Sequence, residues 1–452
     1  MRTVGRRSVV LYILLAAFIG GFGYLCFKVF TNGSTWVTQA YNGHIYADDA
    51  TAVTGDIYDR NGNLLATTVD GERIYSDDES VRYALLHTVG DSSGYIGTSV
   101  QALLRSKLMG YNIITGLNRT PFQDLGLNNM TLTVDANVCA TAYNALGGKK
   151  GAVLVYNYKT GEIICKVSAP SYDPGAVPDD LTDNDDYDGV FVDNTVSSSY
   201  TPGSIFKIVT AACAIENLSD WDSRTYTCEG EVYFGDEAVT CLDYHGEINI
   251  YQAMEYSCNC YFSQLAVDLG YDKLMATAEE LGFNKSLDFS NFTTADSSIN
   301  LEESTKDSDI GWAGIGQYTV LVNPMQYLTV MGAIANGGSY AEPYVTNASI
   351  FDALSSDTQI MDSSTASSLK DIMRYTVENY YGDSMFPDGW EVCAKTGTAE
   401  VGEGKEPNAW ICGFSSNEDY PYAFVVCVEN GGSGYSVAGS VASTVLNAIA
   451  YG

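Results

Sequence analysis

The sequence predicts an α+β fold: an antiparallel sheet flanked by helices, with a helical subdomain set between its strands. Three observations predict it. Val153-Leu154-Val155-Tyr156 and Ile163-Ile164-Cys165 are β-like runs on either side of Lys159-Thr160-Gly161, which reads as a hairpin turn. A helical middle follows, and then Trp390–Thr398, Asn408–Phe414 and Tyr422–Val428 read as strands closed by a helix over Gly434–Ala450.

In chain order, the first element is apolar. Arg2, Arg6 and Arg7 precede a run from Val9 to Phe30 broken only by glycines and Lys28. Roughly 20 apolar residues span a bilayer, and the arginines place residues 1–8 in the cytoplasm and the rest of the chain outside it. A single-pass membrane protein is expected, with a cleaved signal peptide as the competing reading. Residues 31 to about 130 are mixed and rich in Gly, Ser, Thr and Asp. Asn61-Gly62 between apolar runs signals a hairpin, and Val81 to Leu108 has helical character.

From residue 150 the patterns strengthen. A helix opens at Ser204 after Pro202-Gly203 and runs through Ile208, Ala211, Ala212 and Ile215 to Asn217. Tyr251–Leu269, Tyr271–Leu281 and Pro324–Ala335 read as further helices.

Composition narrows the function. The chain has 23 basic and 56 acidic residues, net −33, which argues against nucleic acid as a partner. Hydrophobic residues at 46% against 17% charged indicate a folded globular protein. Eleven cysteines are many for an exported chain. Cys228 and Cys241 bracket Glu231-Val232-Tyr233-Phe234 and could pair outside the cell. With no Cys-x-x-Cys and three histidines, neither a metal site nor a cofactor is expected.

The chemistry lies in three short motifs. Ser204-Ile205-Phe206-Lys207 puts a lysine on the serine's side of a helix. Ile205, Phe206, Ile208 and Val209 offer the apolar surroundings that lower a lysine's pKa and make it a base. Ser257-Cys258-Asn259 follows, then Lys395-Thr396-Gly397-Thr398 on a strand, where alternation sets Thr396 and Thr398 on one face. Each motif alone has a bland reading: a capping serine, a helix cap, a turn. The chain also holds decoys at Ser367-Ser368-Leu369-Lys370, Ser298-Ile299-Asn300, Ser415-Ser416-Asn417 and Lys159-Thr160-Gly161. Only the triple beginning at Ser204 keeps the order Ser-x-x-Lys, Ser-x-Asn, Lys-Thr-Gly.

That ordered triple is shared by penicillin-binding proteins and serine β-lactamases. The wider chain resembles class B penicillin-binding proteins, the membrane-anchored D,D-transpeptidases of peptidoglycan. Gly55-Asp56-Ile57-Tyr58-Asp59-Arg60-Asn61-Gly62 matches that family's pedestal, although Thr54 stands where arginine is usual. Pro170-Ser171-Tyr172-Asp173-Pro174, His245-Gly246, Gly314-Ile315-Gly316-Gln317, Asn323-Pro324-Met325-Gln326 and Ala335-Asn336-Gly337-Gly338 also fit.

The resemblance implies a transmembrane anchor over 9–30, a pedestal or dimerisation-like domain over 31–149 and a transpeptidase domain over 150–452. It implies Ser204 as nucleophile, Lys207 as base and Ser257 as proton relay. Asn259, Lys395, Thr396, Gly397 and Thr398 would bind substrate, and the backbone N–H groups of Ser204 and Thr398 would form the oxyanion hole. Expected partners are stem peptides ending in D-Ala-D-Ala, β-lactams and a membrane glycosyltransferase that polymerises lipid II. A serine β-lactamase and a β-lactam sensor or scaffold are the alternatives.

Overall fold

The computed structural model describes residues 2–37, 54–112, 114, 119–120, 123–124, 126–290, 292–346 and 357–452. Helix α1, Arg2–Val37, contains one stretch, Ser8–Ser34, long and apolar enough to cross a membrane. Its large apolar side chains are exposed. At 1.5 Å per residue those 27 residues extend about 40 Å.

A small sheet follows, built from β1 (Ile57–Tyr58), β2 (Leu64–Val69), β3 (Glu72–Tyr75) and, after helix α2 (Glu79–Val89), β4 (Met130–Thr131). The Asn-Gly hairpin is the β1–β2 turn, where the Asp59 carboxylate accepts from the N–H groups of Asn61 and Asn63. The helical stretch expected over 81–108 is divided: α2 ends at Gly90, and Val100–Leu103 and Arg105–Leu108 are separate short turns.

The main sheet uses β5 (Gly151–Asn157), β6 (Ile163–Ala169), β11 (Val392–Ala399), β12 (Asn408–Ser415) and β13 (Tyr422–Val428), in the order β11-β12-β13-β5-β6. Every pairing is antiparallel. Nearly all residues of these strands are buried, as helices covering both faces require. Helix α3 (Ala136–Leu146) packs on β6 and on the terminal helix α11 (Gly439–Tyr451). Helices α9 (Pro324–Ala335) and α10 (Ser363–Thr376) pack on β13 and β11 and on each other. Asn323 caps α9, accepting from the Gln326 N–H, with Pro324 in the first turn.

Between β6 and β11 lies the helical subdomain. It holds α4 (Lys207–Asn217), α5 (Ile250–Glu255), α6 (Asn259–Leu269), α7 (Tyr271–Glu280) and α8 (Asp307–Gly314). Two short hairpin pairings decorate it: β7 (Tyr226–Cys228) with β10 (Gly246–Ile248), and β8 (Glu231–Phe234) with β9 (Glu237–Thr240). The α+β expectation therefore holds, with a second local difference beside the divided 81–108 stretch. The helix expected over Tyr251–Leu269 is two helices, broken at Tyr256-Ser257-Cys258, where Ser257 takes φ 54°. A non-glycine residue in that left-handed region is strained, and such residues gather at functional sites.

Candidate active site

Ser204 stands in a tight 3₁₀ turn, Gly203–Phe206, that feeds directly into α4. Gly203 sets the turn with φ 56°, and a side chain there would meet the Thr398 carbonyl at 2.8 Å. The Tyr327 hydroxyl donates to the Ile205 carbonyl at 2.7 Å, and the Trp410 indole N–H donates to the Thr201 carbonyl at 3.0 Å. The nucleophile's turn is thus clamped from α9 and from β12.

Lys207 lies one helical turn on and is fully buried. Its Nζ is 3.0 Å from Ser204 Oγ, 2.8 Å from Asn259 Oδ1, and 2.5 Å and 3.3 Å from the carbonyl and hydroxyl oxygens of Ser257. An ammonium offers three hydrogens to these four oxygens. Once neutral, the amine can instead accept the Ser204 proton. Burial pushes the Lys207 pKa down to about 8 against a partial upward pull from Cys258 and Cys241, which makes the neutral form accessible near neutral pH.

Lys395 reaches Ser257 from the other side, its Nζ 2.9 Å from Ser257 Oγ and 2.9 Å from the Thr396 carbonyl. Ser257 Oγ therefore links the two lysines. Burial, and next the nearby Lys207, hold the Lys395 amine well below its ordinary pKa. The sequence sets Lys395 among the residues that would bind substrate. Its side chain is buried against Ser257, on the strand face opposite Thr396 and Thr398.

The β11 strand is the edge of the sheet. Thr396 is partly exposed and Thr398 exposed, as alternation requires. The Thr396 N–H donates to the Tyr381 hydroxyl at 2.9 Å, so it points away from β12. The Thr398 amide, two residues on, points the same way, toward the Ser204 turn. Thr398 Oγ1 accepts from the Gly434 N–H at 3.1 Å and keeps its own proton free to donate.

Gly397 is required by its closest neighbours. A Cβ there would lie 2.6 Å from the Pro202 carbonyl and 3.1 Å from the Ile205 side chain. The strand and the nucleophile's turn touch at this point. Asn259 is also partly committed: one amide hydrogen goes to the Thr240 carbonyl at 2.9 Å, leaving the second for a ligand.

The structure brings Ser204, Lys207, Ser257, Asn259 and Lys395 into one connected group and sets Thr396 to Thr398 alongside. Among the decoys, Lys159 sits on the exposed β5–β6 turn, where Asn157 Oδ1 accepts from the N–H groups of Lys159 and Thr160.

Tyr381 was missed. It is buried, 2.8 Å from Thr396 Oγ1, and stacked on Tyr435 with ring centroids 5.8 Å apart. Nothing in the sequence marks it, since its partner lies 15 residues away and on another element. Tyr381→Phe removes the hydroxyl that holds both the Thr396 side chain and its N–H. We expect penicillin acylation to fall about tenfold through weaker ground-state binding, at a cost near that of one hydrogen bond. Stopped-flow acylation that separates affinity from rate checks it.

Comparison with known proteins places this geometry. The family profile described as "Penicillin binding protein transpeptidase domain" matches residues 151–450. The peptidoglycan D,D-transpeptidase PbpA of Mycolicibacterium smegmatis is 27% identical over 447 residues, covering 88% of this chain and 88% of that protein. Among solved structures, the D,D-transpeptidase domain of a peptidoglycan glycosyltransferase from Eggerthella lenta superposes with TM-score 0.75 at 29% identity, over 88% of this chain and 98% of that one. Penicillin-binding protein A of M. tuberculosis, as its ceftriaxone acyl-enzyme complex, shares the fold at TM-score 0.75 and 23% identity, over 87% and 98% of the two chains. With the profile spanning the sheet, the helical subdomain and every residue of the connected group, the chain belongs to the penicillin-binding protein transpeptidase family.

Proposed function

We propose that this chain is a serine D,D-transpeptidase that cross-links peptidoglycan stem peptides and is acylated by β-lactams. The observation that carries the proposal is the Ser204–Lys207 contact at 3.0 Å, with Ser257 Oγ joined to both lysines. A hydroxyl is a weak nucleophile until a base takes its proton, and a buried neutral amine is such a base.

Ser204 Oγ attacks the penultimate D-alanine carbonyl of a donor stem peptide, and its proton passes to Lys207. The developing oxyanion receives the N–H groups of Ser204 and Thr398. As the tetrahedral centre collapses, the C–N bond breaks and the leaving D-alanine amine takes a proton relayed from Lys207 through Ser257. An acceptor amine on a second stem peptide then attacks the Ser204 ester, loses its proton by the same route and restores the hydroxyl.

Thr396 and Thr398 hydroxyls hold the terminal carboxylate, and the free Asn259 amide hydrogen takes the donor's backbone carbonyl. A carboxylate held there opposes the lowering of the Lys395 pKa that burial and Lys207 impose. The open edge of β11 accepts the donor peptide as an added strand. A β-lactam presents its strained amide to the same groups.

The rest of the chain fits a membrane enzyme. We assign residues 1–8 to the cytoplasm, 9–30 to the anchor, 31–149 to a pedestal domain and 150–452 to an extracytoplasmic transpeptidase domain. A membrane glycosyltransferase that polymerises lipid II is the expected partner, supplying the glycan strands whose peptides are joined. The test uses the full chain in detergent with a peptide ending in D-Ala-D-Ala and an acceptor amine. D-Alanine release should match formation of a new amide product. Release with hydrolysis alone, or no release, contradicts transfer.

A further inference from the structure

Beside the catalytic group lies a second cluster that acyl transfer does not use. Cys228, Cys241, His245 and Cys258 turn their Sγ and Nδ1 atoms toward one point, all within 4.8 Å of one another. Cys228 Sγ is 3.4 Å and Cys241 Sγ 3.7 Å from His245 Nδ1, and the Cys241 and Cys258 sulfurs are 4.0 Å apart. A tetrahedral Zn²⁺ with Zn–S of about 2.3 Å and Zn–N of about 2.0–2.1 Å has edges of roughly 3.6–3.8 Å. The observed separations bracket those edges. The Cys228–Cys241 pairing that the sequence left open is not formed; both thiols are free.

We propose that Cys228, Cys241, His245 and Cys258 bind a divalent, thiophilic cation, Zn²⁺ by ligand type, in a closed structural site. Three thiolates and one imidazole are a donor set that selects zinc over hard cations. Further contacts favour the thiolate form. The Asn259 N–H donates to Cys241 Sγ at 3.3 Å, and the Tyr261 N–H donates to Cys258 Sγ at 3.4 Å. Cys258 also caps α6, a position usually held by Ser, Thr, Asp or Asn. Its sulfur therefore feels the positive end of that helix. Binding displaces the three thiol protons, including that of Cys228, which points at the Asp243 carbonyl at 3.4 Å. His245 keeps its remaining proton on Nε2 and stacks on Tyr256, ring centroids 5.1 Å apart. Cys228 and Cys258 are buried, while Cys241 and His245 are partly exposed and leave an entry path.

The site's place in the chain gives it a consequence. Its ligands come from the end of β7, the end of β9, the start of β10 and the break between α5 and α6. Cys258 is the residue between Ser257 and Asn259. A cation fixed there pins both neighbours of Cys258, including Ser257 in its left-handed conformation. It ties the small hairpins to the catalytic group, as a positioning device rather than a catalyst.

The test is metal analysis and cobalt uptake on the full chain purified in detergent under reducing conditions. We expect about one zinc per chain, and visible ligand-field bands of tetrahedral thiolate-bound Co²⁺ after exchange. Cys241→Ser and His245→Ala should lose the metal. Cys260→Ser should keep it, although Cys260 is also buried and within reach of the other thiols. Removing zinc should slow penicillin acylation by at least about tenfold, the usual scale for groups that orient a site, and readdition should restore it. A wild-type chain that takes up neither Zn²⁺ nor Co²⁺, or that carries a disulfide within this cluster, overturns the proposal. Loss of metal in Cys260→Ser overturns the ligand assignment. A zinc-free chain acylated at the full rate overturns the positioning role.

Discussion

Lys207→Arg should slow acylation of this enzyme at least about 10²-fold while keeping its positive charge. Arginine is never deprotonated in proteins, so it cannot take the Ser204 proton. Its fork would also need more room than the buried pocket formed by Ser204, Ser257 and Asn259 provides. Loss of a general base costs about 10²- to 10⁴-fold, and steric disruption adds to it. The wild-type pH profile gives the same claim its sign. Burial lowers the Lys207 pKa to about 8, so the neutral base is the minor form at pH 7 and the major form above pH 8. The acylation rate should therefore rise about tenfold per pH unit up to that value and level off beyond it. A profile flat from pH 6 to 9 contradicts Lys207 as the base.

Ser204→Ala removes the nucleophile and leaves everything else standing. The clamps on its turn run to the Ile205 and Thr201 carbonyls, so the backbone geometry survives the change. D-Alanine release should fall by on the order of 10⁶, the scale seen when a nucleophilic serine is removed. Affinity for the donor peptide should persist, because Thr396, Thr398 and Asn259 are untouched. Release above background by the variant would assign the nucleophile elsewhere.

The chemistry was legible because its parts are contiguous. Ser204 and Lys207 share a turn, Ser257 and Asn259 flank one residue, and Lys395 to Thr398 follow one another along a strand. Their order along the chain rejected the decoys, and the sheet pairing explains why: Lys395 and Thr398 face Cys412 and Ala409 inside the main sheet, whereas Lys159 occupies a surface turn.

What the sequence left out depended on distant partners. Tyr381 gains meaning only when the helical turn after α10, Val377–Tyr381, carries it past β11. The break at Ser257 was hidden inside one apolar helical period, because a positive φ leaves no trace in hydrophobic spacing. The cysteine and histidine cluster has gaps of twelve, three and twelve residues. Its first and last gaps fit no short metal motif, and folding of the small hairpins closes them. Gly397 stands among the residues expected to bind substrate, and what crowds it is the nucleophile's own turn.

Covalent capture tests Ser204 as the acylated nucleophile most directly. The full chain in detergent is incubated with penicillin, freed of excess drug, and followed by intact mass and peptide mapping over time. One penicillin per chain is expected, attached to the peptide containing Ser204, persisting after the drug is removed and absent from Ser204→Ala. An adduct on any other residue, rapid loss of the adduct by hydrolysis, or no adduct at all would contradict it.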